Sequence, residues 1–223
     1  MTAPASLLLL CTLLLLAFLF CQYGAKGKGA LHFTGCTNDN ARKTNILLHA
    51  VGVLLLGLVP GMTVDPTYYI YGLGTLKAPF GKVVLITFLL SIPAAILAVR
   101  EAKKMSPAAN HTIFNAPYLL YLYFPLRTLY ITAYEFFFRG VLLFSCLQIL
   151  NVFWAIFLNT VFYFIAHLMG DKKEKLGTVL MGPLLCMACL SASSFWPAVT
   201  IHLTLTLFYE INFIRFTRHS TKR

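Results

Sequence analysis

The sequence predicts an all-α protein, a polytopic transmembrane helix bundle of about seven spans, and three observations carry that expectation. Of 223 residues, 59% are hydrophobic and 11% charged, with a mean hydropathy of +0.77; a soluble domain has roughly 45–50% apolar and about 25% charged residues. The apolar residues gather into segments close to the ~20 residues that cross a bilayer. The basic residues, which give a net charge of +11, stand at the ends of those segments. That placement follows the positive-inside rule and suits anionic headgroups, so the partner it implies is the lipid bilayer and not nucleic acid.

Taken in order, Ser6–Cys21 reads as a first span. The start Met-Thr-Ala-Pro-Ala-Ser has no basic side chain and Leu-Phe-Cys-Gln is a poor cleavage site, against a signal peptide. Residues 23–44 form a polar basic loop with Lys26, Lys28, Arg42 and Lys43. A second span runs from Ile46 to Met62, with His49 in its first turn as an interfacial histidine. Asp65–Lys82, with Pro66, Gly72, Gly74, Pro79 and Gly81, reads as a loop. Val83–Val99 is a third span, with Pro93 inside it and the cluster Arg100, Lys103 and Lys104 at its cytoplasmic end.

Ile113–Leu150 is too long for one simple crossing and contains Pro117, Pro125 and Gly140. It is expected as a long kinked helix or a span joined to a short membrane-embedded helix. Val152–Met169 follows, then the charged loop Asp171–Lys175. Leu176–Ser194 carries Gly177, Gly182, Ala188, Ser191 and Ala192, small residues that permit close packing. Pro197–Ile214 is the last span, ahead of a basic tail with Arg215, Arg218, Lys222 and Arg223. The expected organisation is N-terminal helices and loops over 1–110, a core over 111–215 and a cytoplasmic tail over 216–223. The cysteines lie mostly in apolar segments as small hydrophobes. The Cys186/Cys189 pair has no second pair of matching spacing, which argues against metal or redox use.

Chemistry concentrates at three places inside apolar sequence. Tyr134-Glu135-Phe-Phe-Phe-Arg139-Gly140 puts an acid and a base on one helical face, where they can pair. Tyr163-Phe-Ile-Ala-His167 lies in the next span and His202-Leu-Thr-Leu-Thr206 in the last, with Glu210 on the same stripe as His202 and Thr206. Arg127 is a further intramembrane charge, placed either to snorkel or to join the site. Ionisable groups are costly in a bilayer and usually face a polar interior where function resides. A carboxylate in a poorly hydrated cavity can act as a general base on water, an imidazole can share that water and return a proton, and a second His beside a hydroxyl can stabilise an oxyanion. Two His and a Glu are also a zinc set, so a divalent metal on Glu135, His167 and His202 stays open. Straight spans would put His167 near the inner end of its helix and His202 near the outer end of its own.

These motifs resemble the CAAX protease and bacteriocin-processing (CPBP) family of glutamic intramembrane proteases, often described as metalloproteases. The family pattern is Glu-Glu-x-x-x-Arg, then Phe-x-x-x-His, then His-x-x-x-Asn. Phe138-Arg139-Gly140 and the Ser194-Phe-Trp-Pro-Ala run add to the likeness, which covers residues 113–212. The resemblance implies an intramembrane endopeptidase that cleaves a peptide or membrane-tethered protein. Glu135, His167 and His202 would be catalytic, with Tyr134, Arg139, Tyr163 and Thr206 supporting and no cofactor required. Tyr134 departs from the pattern at its first Glu, Tyr163 at its Phe and Thr206 at its Asn. A phenol is a poor base at neutral pH, so Glu135 is left to activate water. Two other readings stay open: an inactive member that binds a peptide, lipid or protein as an immunity or scaffold factor, and a small transporter. Compactness and short loops suggest a bacterial inner membrane, with the C-terminus cytoplasmic.

Overall fold

The computed structural model describes residues 4–25, 39–63, 79–106, 117–170 and 172–220. Most of the 23–44 and 65–82 loops, Cys36, Asp171, Lys222 and Arg223 lie outside the described residues. Among those described, every regular element is helical and there are seven helices. We number them α1 (Pro4–Gly24), α2 (39–63), α3 (Phe80–Met105), α4 (117–146), α5 (Val152–Ala166), α6 (Lys172–Ala192) and α7 (Trp196–Ser220). Five of these, α1 to α4 and α6, are long and apolar enough to cross a membrane. The chain is an integral membrane protein. The other two are α5, only 15 residues long, and α7, where His202, Thr206, Glu210 and Asn212 interrupt the apolar run. These two carry two of the three motifs.

Several boundaries differ from the sequence reading, and tertiary contacts explain them. α2 begins at Asp39, not near Ile46, so His49 lies well inside the helix. The polar first turns are held because Arg42 and Asn45 are each only 1% exposed, packed inward where local hydropathy would leave them in a loop. His49 is 3% exposed and buried, not interfacial. α3 runs through Pro93 to Met105. α6 takes in Lys172–Lys175, which open the helix instead of forming a loop. α7 extends to Ser220, so Arg215 and Arg218 belong to it.

The central element is α4, which continues through Pro125 as one helix; its candidate span is 78% buried, against 11% for α3. It is not uniformly α-helical. Pro117–Glu135 gives way to a π-helical turn, Phe136–Leu142, in which the Leu143 N–H donates to the Phe138 carbonyl five residues back. A matching π segment in α2, Leu54–Leu58, packs beside it. α2 comes close to α4 because Gly52 and Gly57 have no side chain. A methyl at Gly52 would run into the Tyr130 ring, and one at Gly57 would sit 2.8 Å from the Ala133 Cβ. α7 lies along α3, and α5 against α6. Gly182, one of the small residues of α6, admits the Thr160 methyl of α5.

The α6–α7 connection is a buried turn. The Ser194 N–H donates to the Cys189 carbonyl at 3.0 Å and the Ser193 N–H to the Leu190 carbonyl at 3.2 Å. With Ser193 at φ 52°, this is the left-handed helix ending usually given to glycine. Ser194 and Phe195 are 1% and 2% exposed, so α7 starts inside the protein and not at its edge.

Candidate active site

The π turn sets the geometry. Such turns add one residue to a helical circuit, re-aim the side chains around them and are frequent at functional sites. Here the turn follows directly on Tyr134 and Glu135 and contains Arg139. Asn159 of α5 pins the turn, its side-chain amide donating at 2.6 Å to the Phe138 carbonyl that also accepts from the Leu143 N–H. Asn159 in turn accepts from the Cys186 thiol at 3.2 Å. Cys186 is thus a buried free thiol with a packing and hydrogen-bonding place, as is its neighbour Cys189 among the core side chains.

Glu135 is fully buried and both its oxygens are engaged. Oε2 pairs with Arg139 Nη1 at 2.9 Å, and Oε1 accepts from His202 Nδ1 at 2.6 Å. The Arg139 guanidinium lies over the Tyr163 ring, 4.1 Å from its centre, so an ion pair and a cation–π contact fix the carboxylate. Because a carboxylate accepts, His202 carries its proton on Nδ1 and its lone pair on Nε2. The His202 side chain keeps 16% exposure, against none for Glu135.

His167 caps the C-terminal end of α5. Its Nδ1 donates to the Tyr163 carbonyl at 2.9 Å and lies 3.2 Å from the Tyr134 hydroxyl. The Tyr134 ring stands between the two imidazoles, its centre 5.8 Å from that of His167 and 6.0 Å from that of His202. The separation in depth expected of straight spans does not arise. α5 is short and ends at His167, while α7 begins at a buried turn, which carries His202 inward.

Tyr134, Tyr163, His167, His202 and Thr206 line one cavity of about 320 Å³. Glu135 and Arg139 lie behind its wall. Glu101 and Lys173 meet at the opening, joined at 2.8 Å between exposed side chains. Arg127 also lines the cavity; it is 3% exposed and does not snorkel. Its Nη1 is 2.6 Å from His49 Nε2 and its Nε 3.6 Å from Glu210, whose Oε1 accepts from the Tyr123 hydroxyl at 2.7 Å. This second buried network escaped the sequence reading, as did Asn159. Spacing offered one signal for Asn159: it precedes Tyr163 by one helical turn and His167 by two.

The zinc arrangement does not fit these positions. Among the described residues no group of three or more His, Cys, Asp or Glu is placed to hold a metal ion. Glu135 Oε1 and His202 Nδ1 face each other, and His167 Nδ1 is turned to a carbonyl.

A buried carboxylate paired with an imidazole that lines a cavity between helices is an arrangement that can activate water. The family model described as type II CAAX prenyl endopeptidase Rce1-like matches residues 118–208. The matched stretch contains all three motifs, so this part of the chain is similar to that family. No curated protein and no solved structure matches the chain.

Proposed function

We propose that the protein is an intramembrane endopeptidase of the CAAX-protease type, acting on a peptide or a membrane-tethered protein tail. The observation that carries this reading is the 2.6 Å Glu135–His202 pair on a cavity wall shared with Tyr134 and His167. In the proposed reaction His202 Nε2 takes a proton from water, and the hydroxide adds to the scissile carbonyl carbon. Glu135 holds the tautomer and stabilises the imidazolium, so the acid and the imidazole share the role of base. The C–N bond then breaks, and a proton passes from imidazolium to the leaving amine, with His167 beside the same cavity to relay it. The products are a shortened chain with a new carboxylate and a released peptide amine. No metal takes part in these steps. The cytoplasmic end is the one bearing Arg215 and Arg218, and the setting is a bacterial inner membrane.

Tyr134 supports catalysis in this scheme without being the base. With His167 Nδ1–H directed to the Tyr163 carbonyl, the Tyr134 hydroxyl hydrogen can point to the developing oxyanion, and Thr206 offers a second hydroxyl. Tyr134→Phe should therefore lower turnover about a hundredfold, the low end for loss of one oxyanion donor, with folding intact. A phenylalanine variant of undiminished rate would remove Tyr134 from the chemistry. The reading itself is tested by incubating detergent-solubilised protein with a library of lipidated and plain peptides. Wild type should cleave a subset and His167→Ala should not; absence of cleavage in wild type would favour a binding role for the same cavity.

A further inference from the structure

A second hollow, a groove of about 800 Å³ between α3 and α7, lies on the far side of α7 from the candidate active site. The two helices run in the same direction, since Val83 and Trp196 line the groove near their starts and Ala102 packs with Phe213 near their ends. In its second half α3 carries the buried Ala94, Ala98 and Ala102, small residues that permit close packing. The groove opens where that stripe stops, and its α3 wall includes Val83, Thr87, Ser91 and Ala95. Trp196, Thr200, Thr204 and Phe208 stand on the α7 wall. Among the described residues that line the groove, none is charged. The Thr200 and Thr204 hydroxyls donate to the Trp196 and Thr200 carbonyls at 3.0 and 2.8 Å, and Ser91 Oγ is buried. Ordered water needs several polar partners, which such walls do not supply.

We infer that the groove is a binding site for one acyl chain of a phospholipid whose phosphate sits on Lys82. α3 is long and apolar enough to cross the membrane, and Phe88 and Ile92 beside the groove are exposed, so hydrocarbon surrounds it. From Phe80 to Ala95 the groove follows fifteen residues of α3, about 22 Å along the axis. One leaflet contributes about 15 Å to the hydrocarbon core, so a whole chain fits. Lys82 is exposed in the first turn of α3, next to Val83. α3 has no other Lys or Arg before Arg100, and α7 has none before Arg215. The phosphate therefore has one cationic partner at this end, and an ammonium suits it. The other face of α7 gives the site a consequence. Two residues turn a helix by about 200°, so His202, midway between Thr200 and Thr204, stands opposite the groove on the cavity wall. A chain wedged behind α7 keeps its first turns pressed toward the cavity. This consequence rests on the peptidase reading for its link to cleavage, whereas the lipid site stands apart from it.

The test uses the whole protein in detergent and a phospholipid brominated along its acyl chains, which quenches tryptophan on contact. The chain has two tryptophans, and they are similarly exposed, Trp154 at 52% and Trp196 at 47%. Trp154→Phe leaves Trp196 to report on the groove, and Trp196→Phe leaves Trp154 to report on ordinary lipid contact. Quenching of Trp196 should saturate at one lipid per protein, whereas that of Trp154 should follow the lipid fraction of the micelle. Thr200→Phe and Thr87→Phe, which fill the groove from α7 and from α3, should each abolish the saturation. Lys82→Gln should weaken binding about fivefold, the worth of one cation near a headgroup. A brominated alcohol of the same chain length should bind more weakly and be indifferent to Lys82→Gln. Lipid should raise the melting temperature of wild type and not of the filled variants, whose own melting in lipid-free detergent checks that they fold. Quenching of Trp196 that tracks the lipid fraction as Trp154 does would overturn the site. Saturation by a farnesyl chain but not by the phospholipid would also overturn it. So would a dimer in wild type that Thr200→Phe turns into monomers, since the groove would then belong to a second copy. Peptide cleavage without saturable lipid binding would leave the peptidase reading standing and the lipid site lost. Saturable binding without cleavage would do the reverse.

Discussion

Glu135→Gln is expected to lower peptide cleavage by about 10⁴-fold per folded molecule, and to lower stability as well, because the buried Arg139 loses its counter-charge. The size follows from tautomer control, and a carboxylate-to-amide change that leaves a catalytic imidazole in the wrong tautomer costs about that much in a serine protease. In the native site Oε2 faces Arg139 and Oε1 faces His202. Arg139 can only donate, so it holds the carbonyl oxygen of the introduced amide on its own side. The amide NH₂ is then turned to His202 and requires Nδ1 as an acceptor. The imidazole proton moves to Nε2, the nitrogen that takes a proton from water in the proposed reaction. Rates for wild type, Glu135→Gln and Glu135→Asp on one peptide, with thermal unfolding of each, decide the matter. A glutamine variant with more than a tenth of wild-type activity would show that the pair does not activate water.

Arg139→Ala is expected to be the most damaging change to stability. Both partners of the Glu135–Arg139 pair are fully buried, and removing one member of a buried pair typically costs about 3–5 kcal/mol because the other is left uncompensated. The loss should appear as low folded yield and an earlier denaturant midpoint in detergent. Combining it with Glu135→Gln should recover much of the stability, since the stranded charge is gone. Additive losses in the double variant would mean that Arg139 stabilises the bundle through Tyr163 and its packing instead.

What the sequence made legible was whatever depends on residue type and local spacing. Long apolar runs with basic ends gave the helices. The pairing of Glu135 with Arg139 follows from one helical turn, and the motifs gave the likeness that the family model repeats over residues 118–208. What stayed hidden was set by partners distant in the chain. His49 reads as interfacial because Arg42 and Asn45 look like loop residues; only the packing of α2 on α4 shows them to be buried. Arg127 could have reached lipid headgroups or the interior, and Glu210, eighty-three residues later, decides for the interior. The meeting of His167 and His202 depends on where α5 ends and on the buried turn before α7. The π turn after Glu135 has no compositional signature, and its anchor Asn159 belongs to another helix.

The shortness of α5 has a further consequence, for the membrane around the protein. Its 15 residues amount to about 22 Å of helix, against a hydrocarbon core of about 30 Å. Phe153, Trp154 and Phe157 of this helix are exposed, so in a bilayer the mismatch would fall on the lipid beside them. The bilayer adapts to a short span by thinning, at fractions of a kcal/mol per Å. Thinning there would bring the headgroups, and the water among them, nearer to His167 at the end of α5. Activity in vesicles should fall as acyl chains lengthen at constant headgroup; a rate indifferent to bilayer thickness would mean that water enters only through the opening at Glu101 and Lys173.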